Sequence, residues 1–278
     1  MKKQLAFVVL AAALFAAPAF AAEQGHAQGH GEEHGEVAVA QAFIKEMKSQ
    51  NAAYIGAHKA AFFQELAKGQ HPRVTVVTCS DSRVQTNMLD KTPEGDLFMV
   101  RDIGNQLSTA EGSVEYGVNH LASSLLLIIG HSSCGAIKAA SGDYSSLEPA
   151  IKRELDTIKI DKGVTNIDGV KTNVNNQVGR ALELFGDKVK EGHLLIVGGV
   201  YDFADDMKQG AGQLNIINVN GDVDPMRVSA MFFDKDAYCA QRDLEKQSRT
   251  QVTAPAKAKP HEDAKKEAPK ATKTREHH

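Results

Sequence analysis

The chain has 278 residues, with 32 Lys and Arg against 35 Asp and Glu for a formal net charge of −3, three cysteines and no tryptophan. That balance is too even for a protein that holds nucleic acid or an acidic surface by charge, and no nucleic-acid partner is expected. The globular stretch between two polar ends is long enough for one domain with a sizeable core, and no internal repeat points to an array.

Residues 1–22 read as an export signal. Lys2 and Lys3 form a charged n-region, residues 5–17 an apolar h-region and Ala19-Phe20-Ala21 an A-x-A cleavage site. An uncleaved anchor is the rival reading, because residues 5–22 carry no charge and just reach spanning length. Pro18 and the alanine content favour cleavage, so the expected product is periplasmic or secreted, with no stable membrane insertion. In residues 23–36, His26, His30 and His34 recur every fourth position and would share a helical face able to hold a metal. Gly25, Gly29, Gly31 and Gly35 argue instead for a flexible spacer.

Residues 37–68 have helical periodicity, broken near Ser49-Gln50-Asn51, and stop at Gly69 with Pro72 just beyond, which predicts two helices. Apolar runs follow at 73–78, 97–100, 124–129, 193–200 and 214–219, with helical patterns between them, notably 113–121. About five strands interleaved with helices predict an α/β sheet. Residues 141–176 read as polar and loop-like. One domain is expected over 37–249, followed by a Lys/Ala/Pro-rich tail, 250–278, with too little apolar surface to order itself.

Two motifs sit just past the C-terminal ends of apolar runs, where open α/β sheets place their sites. The first is Cys79-Ser80-Asp81-Ser82-Arg83 and the second His131-Ser132-Ser133-Cys134. Two thiolates and one imidazole make three corners of a tetrahedral zinc site, and three protein ligands leave the fourth corner for chemistry. A closed structural site would need a fourth ligand, for which Cys239 or a distant histidine are the candidates; Cys239 reads better as a plain buried cysteine. In an exported protein Cys79 and Cys134 are best explained as metal-protected thiolates, at risk of forming a disulfide when metal-free. Gly130 and Gly135 flank the second motif and allow close backbone approach. Asp81 and Arg83 are close enough to pair, so the arginine would orient a carboxylate toward the open metal position.

From about residue 62 to 214 the sequence resembles the β-class carbonic anhydrases. Cys-x-Asp-Ser-Arg plus His-x-x-Cys is that family's signature, and Cys79, Asp81, Arg83, His131 and Cys134 match it position by position. Gln70, Phe98, Ile103, Tyr116 and Gly135 stand where plant-like members place their substrate pocket, and Val200-Tyr201-Asp202 looks like the family's late strand motif. The resemblance implies one Zn²⁺ per subunit and a mostly parallel sheet flanked by helices. It also implies an N-terminal helical arm reaching over a partner in a homodimer or higher oligomer. Asp102 stands where the family usually has Asn, and Gln85 replaces a common proline. Arg101 and Tyr201 match two positions of an inhibitory bicarbonate pocket found in some bacterial members, whereas Val76 replaces its tryptophan. An open, plant-like site is therefore expected.

The implied activity is reversible hydration of CO₂ to bicarbonate and a proton. Gln70 would donate to a CO₂ oxygen, while Phe98, Ile103 and Tyr116 would supply an apolar wall. Two thiolates cancel the metal's charge, so the water pKa is expected on the order of 8 and activity should rise between about pH 7 and 9. His58, His71 and His120 are proton-shuttle candidates. Hydrolysis of carbon disulfide or carbonyl sulfide on the same scaffold is the nearest rival. A non-catalytic zinc-binding or bicarbonate-sensing module is the rival of another class, and Asp102 alone leaves room for it.

Overall fold

Runs of β-branched and aliphatic residues set the centre of the protein. In the computed structural model, which describes residues 33–233, they form a five-stranded sheet: β1 (Val74–Cys79), β2 (Leu97–Asp102), β3 (Leu125–His131), β4 (Leu195–Asp202) and β5 (Gln213–Val219). The order is β2-β1-β3-β4-β5, with β5 alone antiparallel. Successive residues of β1 serve opposite faces: Val77 packs with Leu126, Ile128 and Phe185, and Val76 with Leu127, Ile129 and Val228. Both faces of the inner strands β1, β3 and β4 are covered, which is why these runs are continuously apolar rather than alternating.

The first motif's cysteine is the last residue of β1, and the histidine of the second is the last residue of β3. These strands are neighbours, yet the chain leaves β1 toward β2 on one side and β3 toward β4 on the other. The adjacent C-terminal ends therefore form a topological switch point, the place where an open sheet leaves a crevice.

Helices α3 (Leu107–Glu115), α4 (Gly135–Ser141), α5 (Pro149–Leu155), α6 (Asn166–Lys190) and α7 (Pro225–Phe233) accompany the sheet, and a π-helical turn, Tyr116–His120, follows α3. The loop expected over 141–176 is thus corrected: it contains α5 and the start of α6. Pro149 occupies the first turn of α5, and Thr165 caps α6 by accepting from the Asp168 N–H, both ordinary helix starts. Helix α6 buries Val170, Val174, Val178, Ala181 and Phe185 on one face. It packs so closely that a Cβ on Gly130 would lie 2.8 Å from both Val170 Cγ1 and Val174 Cγ2.

The chain divides into two units after Gln64. The first contains α1 (Glu33–Ala57), which runs without the expected break at Ser49-Gln50-Asn51; polar residues without Gly or Pro do not stop a helix. The break falls at His58 and Lys59, after Gly56, and α2 (Ala60–Leu66) follows. His58 Nδ1 meets the Tyr54 carbonyl at 2.7 Å, and its ring lies between those of Tyr54 and Phe62. Val37, Phe43, Ile44, Met47 and Ile55 of α1 are exposed. The signal, most of the spacer, Cys239 and the C-terminal tail lie outside the described residues. Among the described residues no helix is long and apolar enough to cross a membrane.

Candidate metal centre

Cys79, His131 and Cys134 are buried, and their ligand atoms lie within 4.8 Å of one another. The sheet supplies the first two directly. Cys134 arrives because the chain turns sharply after β3, through Ser133 in the left-handed region (φ 56°), and starts α4 with Cys134 as its N-cap. Asn166 then holds the Cys134 peptide from both sides, accepting from its N–H at 3.1 Å and donating to its carbonyl at 2.9 Å.

His131 is fully buried, and its Nδ1 lies 2.9 Å from the Ser132 carbonyl, which can only accept. The proton therefore sits on Nδ1 and the lone pair on Nε2. Nε2 is buried and has no hydrogen-bond partner. Buried polar atoms are rarely left so, and this one faces two cysteine sulfurs. The neighbouring Cys134 side chain holds the Cys79 thiol down to about 4 against burial, which raises it, and the Gly104 and Asp81 backbones lower it further. Cys134, beside Cys79 and deeply buried, is pushed up. Two sulfurs and one imidazole lone pair, on a buried nitrogen with no other partner, fit three corners of Zn²⁺, whose bonds of about 2.0–2.3 Å place tetrahedral ligands about 3.5 Å apart.

Beside this group the Arg83 Nε donates to Asp81 Oδ1 at 2.9 Å and a terminal nitrogen to Oδ2 at 2.7 Å, a two-pronged pair. The Arg83 guanidinium holds the Asp81 carboxyl well below the usual carboxylate range. Asp81 Oδ2 also stands 3.8 Å from His131 Nε2, so an ionised oxygen borders the metal group. Arg101, the sequence match to an inhibitory-pocket position, instead donates to the main-chain carbonyls of Cys79 and Asp81. Asp102 pairs in register with Cys79; burial pushes its carboxyl up to about 6, against the Gln106 N–H and Thr109 hydroxyl that donate to it.

The expected substrate residues do not gather in one place. Ile103 and Gly135 lie at the metal end, both exposed, and a Cβ on Gly135 would meet nothing within 4 Å. Phe98 pairs with Thr75, four residues before Cys79 on β1, about 13 Å back along the strand. Tyr116 lies tilted beside Phe98 at 5.9 Å between ring centroids and His120 stacks on Tyr116 at 5.6 Å, while Gln70 is exposed in the loop before β1. Within one chain, Gln70, Phe98 and Tyr116 thus belong to the opposite end of β1 from the metal group, and β2, which carries Phe98, is a sheet edge.

Asn166 and Phe203 escaped the sequence reading. Asn166 was detectable as the first helical residue, just after the cap in the Thr-x-x-Asp pattern of Thr165 and Asp168. Phe203 carries no motif; its ring stands 4.7 Å from the Arg83 guanidinium carbon.

A family model described as carbonic anhydrase matches residues 74–208. A carbonic anhydrase of Mycolicibacterium smegmatis is 30% identical over 154 residues, covering 50% of this chain and 75% of that one. One from Synechococcus elongatus is 37% identical over 102 residues, covering 34% of this chain and 37% of the relative, so the chain matches little over a third of that protein's length. Among solved structures, the tetrameric β-carbonic anhydrases of Sordaria macrospora superpose with a TM-score of 0.54 at 25% identity, covering 64% of this chain and 98% of theirs.

Proposed function

This chain belongs to the β-class carbonic anhydrases, and we propose that it hydrates CO₂ reversibly to bicarbonate and a proton with one Zn²⁺ held by Cys79, His131 and Cys134. The observation that carries the reading is the buried, unpartnered Nε2 of His131 facing two cysteine sulfurs, with an ionised aspartate 3.8 Å away. Zinc bound there would lower the pKa of water enough to supply a hydroxide nucleophile near neutral pH.

The chain's own residues then do the positioning. Asp81 Oδ2, ionised because Arg83 grips it, accepts the nucleophile's O–H and turns its lone pair toward carbon. Arg83 cannot give up a proton, so Asp81 remains an acceptor throughout the cycle. The Nδ1 bond to the Ser132 carbonyl fixes the imidazole tautomer. Ile103 offers apolar surface at the mouth.

Gln70, Phe98 and Tyr116 would reach substrate from a second copy. Their distance from the metal group within one chain, the outer edge of β2, which pairs with no further strand among the described residues, and the exposed apolar residues of α1 support a homodimer as the working unit. The N-terminal signal supports export to the periplasm or beyond.

Stopped-flow CO₂ hydration by zinc-loaded protein at about pH 8.5 tests the reading. Rapid turnover in proportion to bound zinc, abolished in Cys134→Ser, is expected. Fully zinc-loaded protein that leaves CO₂ untouched overturns it.

A further inference from the structure

Arg83 is the weak point of the dyad described above. Its side chain is 51% exposed, and an ion pair so open to water is worth little by itself. Its partner Asp81 is a carboxylate beside a metal group, and carboxylate oxygen is itself a zinc ligand. If Arg83 lets go, Asp81 is free to fill the fourth corner that a water molecule needs. Something must keep the guanidinium in place.

Phe203 is built to do so. Its ring lies under the guanidinium, 4.7 Å from Cζ, within the range of a cation–π contact. The same ring stacks on the His131 imidazole at 5.8 Å and 27°, and Tyr201 supports it edge-on at 5.6 Å and 70°. The backbone on both sides is pinned. Asp202, fully buried, accepts from the Asp206 and Met207 N–H groups, and the Ala204 N–H donates to Ser132 Oγ, next to the metal-ligating histidine. The Ser133 carbonyl takes a further Arg83 N–H at 3.2 Å. One aromatic ring thus touches both a metal ligand and the arginine that restrains the neighbouring carboxylate.

We propose that Phe203 is a positioning residue that clamps Arg83 by its ring face and thereby keeps Asp81 off the metal. The inference rests on zinc binding at Cys79, His131 and Cys134, and its first readout does not depend on CO₂ turnover.

The test replaces zinc by cobalt(II) in the full chain and compares visible absorption spectra at one fixed pH. The variants are Phe203→Leu, Phe203→Met and Phe203→Tyr, with Arg83→Ala as the reference in which Asp81 is released outright. The expected result is that Phe203→Tyr overlays the unsubstituted protein, whereas Phe203→Leu and Phe203→Met move toward the Arg83→Ala spectrum. In zinc-loaded protein, kcat/KM falls about 3- to 10-fold in Phe203→Leu, the size expected of a lost cation–π contact, and stays within about twofold in Phe203→Tyr. The proposal is overturned if Phe203→Leu and Phe203→Met keep the original spectrum, if Phe203→Tyr changes as much as they do, or if Arg83→Ala itself leaves the spectrum unchanged. Spectra that separate as expected in a protein without CO₂ hydration would support the clamp and sink the proposed activity instead.

Discussion

Asn166, at the first turn of α6, grips both the N–H and the carbonyl of Cys134 through a single side-chain carboxamide. The helix that covers the sheet therefore also sets the angle at which the third residue of the Cys79, His131 and Cys134 group enters. In Asn166→Ala the Cys134 carbonyl keeps its helical bond from the Lys138 N–H, but the Cys134 N–H loses this acceptor. The expected outcome is a loss of about 1–3 kcal/mol in stability and a fall of about 10- to 100-fold in zinc affinity. Competition with a chromophoric chelator measures the affinity, and unchanged affinity would show that Asn166 serves packing alone.

Arg83→Lys tests the two-pronged pair. A lysine retains the charge but cannot offer Nε and a terminal nitrogen to the two oxygens of Asp81 at once. Hydration activity should fall about 10- to 100-fold while bound zinc stays stoichiometric, because the substitution leaves the three metal ligands alone. Loss of zinc in parallel with activity would place Arg83 in metal retention instead.

The strand pattern and the Cys/His constellation were legible in the sequence because both depend on local composition. β-Branched runs mark strands wherever they fall, and each half of the Cys/His constellation is a short motif at a strand end that can be read along the chain. What escaped was set by tertiary context. The start of helix α6 was hidden because its inward face includes Asn173, a buried polar residue that blurs the apolar stripe and pairs with Gln106 instead. Phe203 was invisible because its role comes from where β4 delivers it, 120 residues after the arginine it touches. The substrate residues were grouped by resemblance, and only the β1–β2 register shows Phe98 four residues from the metal end.

Gly130→Ala should be costly despite its small size. The added methyl would press on Val170 and Val174 at 2.8 Å, and its chain neighbour is the fully buried His131. Overpacking of this kind costs about 1–3 kcal/mol, and zinc affinity should drop as β3 shifts. Gly135→Ala, whose Cβ meets nothing within 4 Å in a single chain, is the matched control. Thermal unfolding of both variants gives the comparison, and equal melting temperatures would mean that α6 yields.

Removing the metal should expose the two thiols to each other. Cys79 and Cys134 are free and buried in one group, and the neighbouring Cys134 lowers the Cys79 thiol, which favours the thiolate that starts disulfide formation. Chelated protein left in air is expected to lose two hydrogens between Cys79 and Cys134 and then to refuse zinc until reduced. Mass spectrometry of the peptides containing Cys79 and Cys134 decides the matter, and persistent free thiols would mean that the strand ends hold the sulfurs apart.

Asp102→Asn is expected to stabilise the protein in a pH-dependent way. An aspartate in an unfolded chain ionises near about 3.9, whereas burial keeps the proton on Asp102 up to about 6 in the fold. The folded state thus binds that proton more tightly than the unfolded one, so its contribution to stability is full below about pH 4 and is lost as pH rises through about 6. A displacement of roughly two pH units corresponds to about 3 kcal/mol at most. Asparagine removes the charge and keeps both contacts, its oxygen accepting from the Gln106 N–H and its amide donating to the Thr109 hydroxyl. Urea unfolding at pH 8 should therefore show Asp102→Asn more stable by about 1–3 kcal/mol. At about pH 5 roughly half of the gain should remain, because the unfolded chain already ionises there while the fold still holds the proton, and toward about pH 3.5 it should vanish. An equal gain at both pH values would mean that the charge on Asp102 is not what destabilises the site, and would leave the bond to Thr109 as the cause.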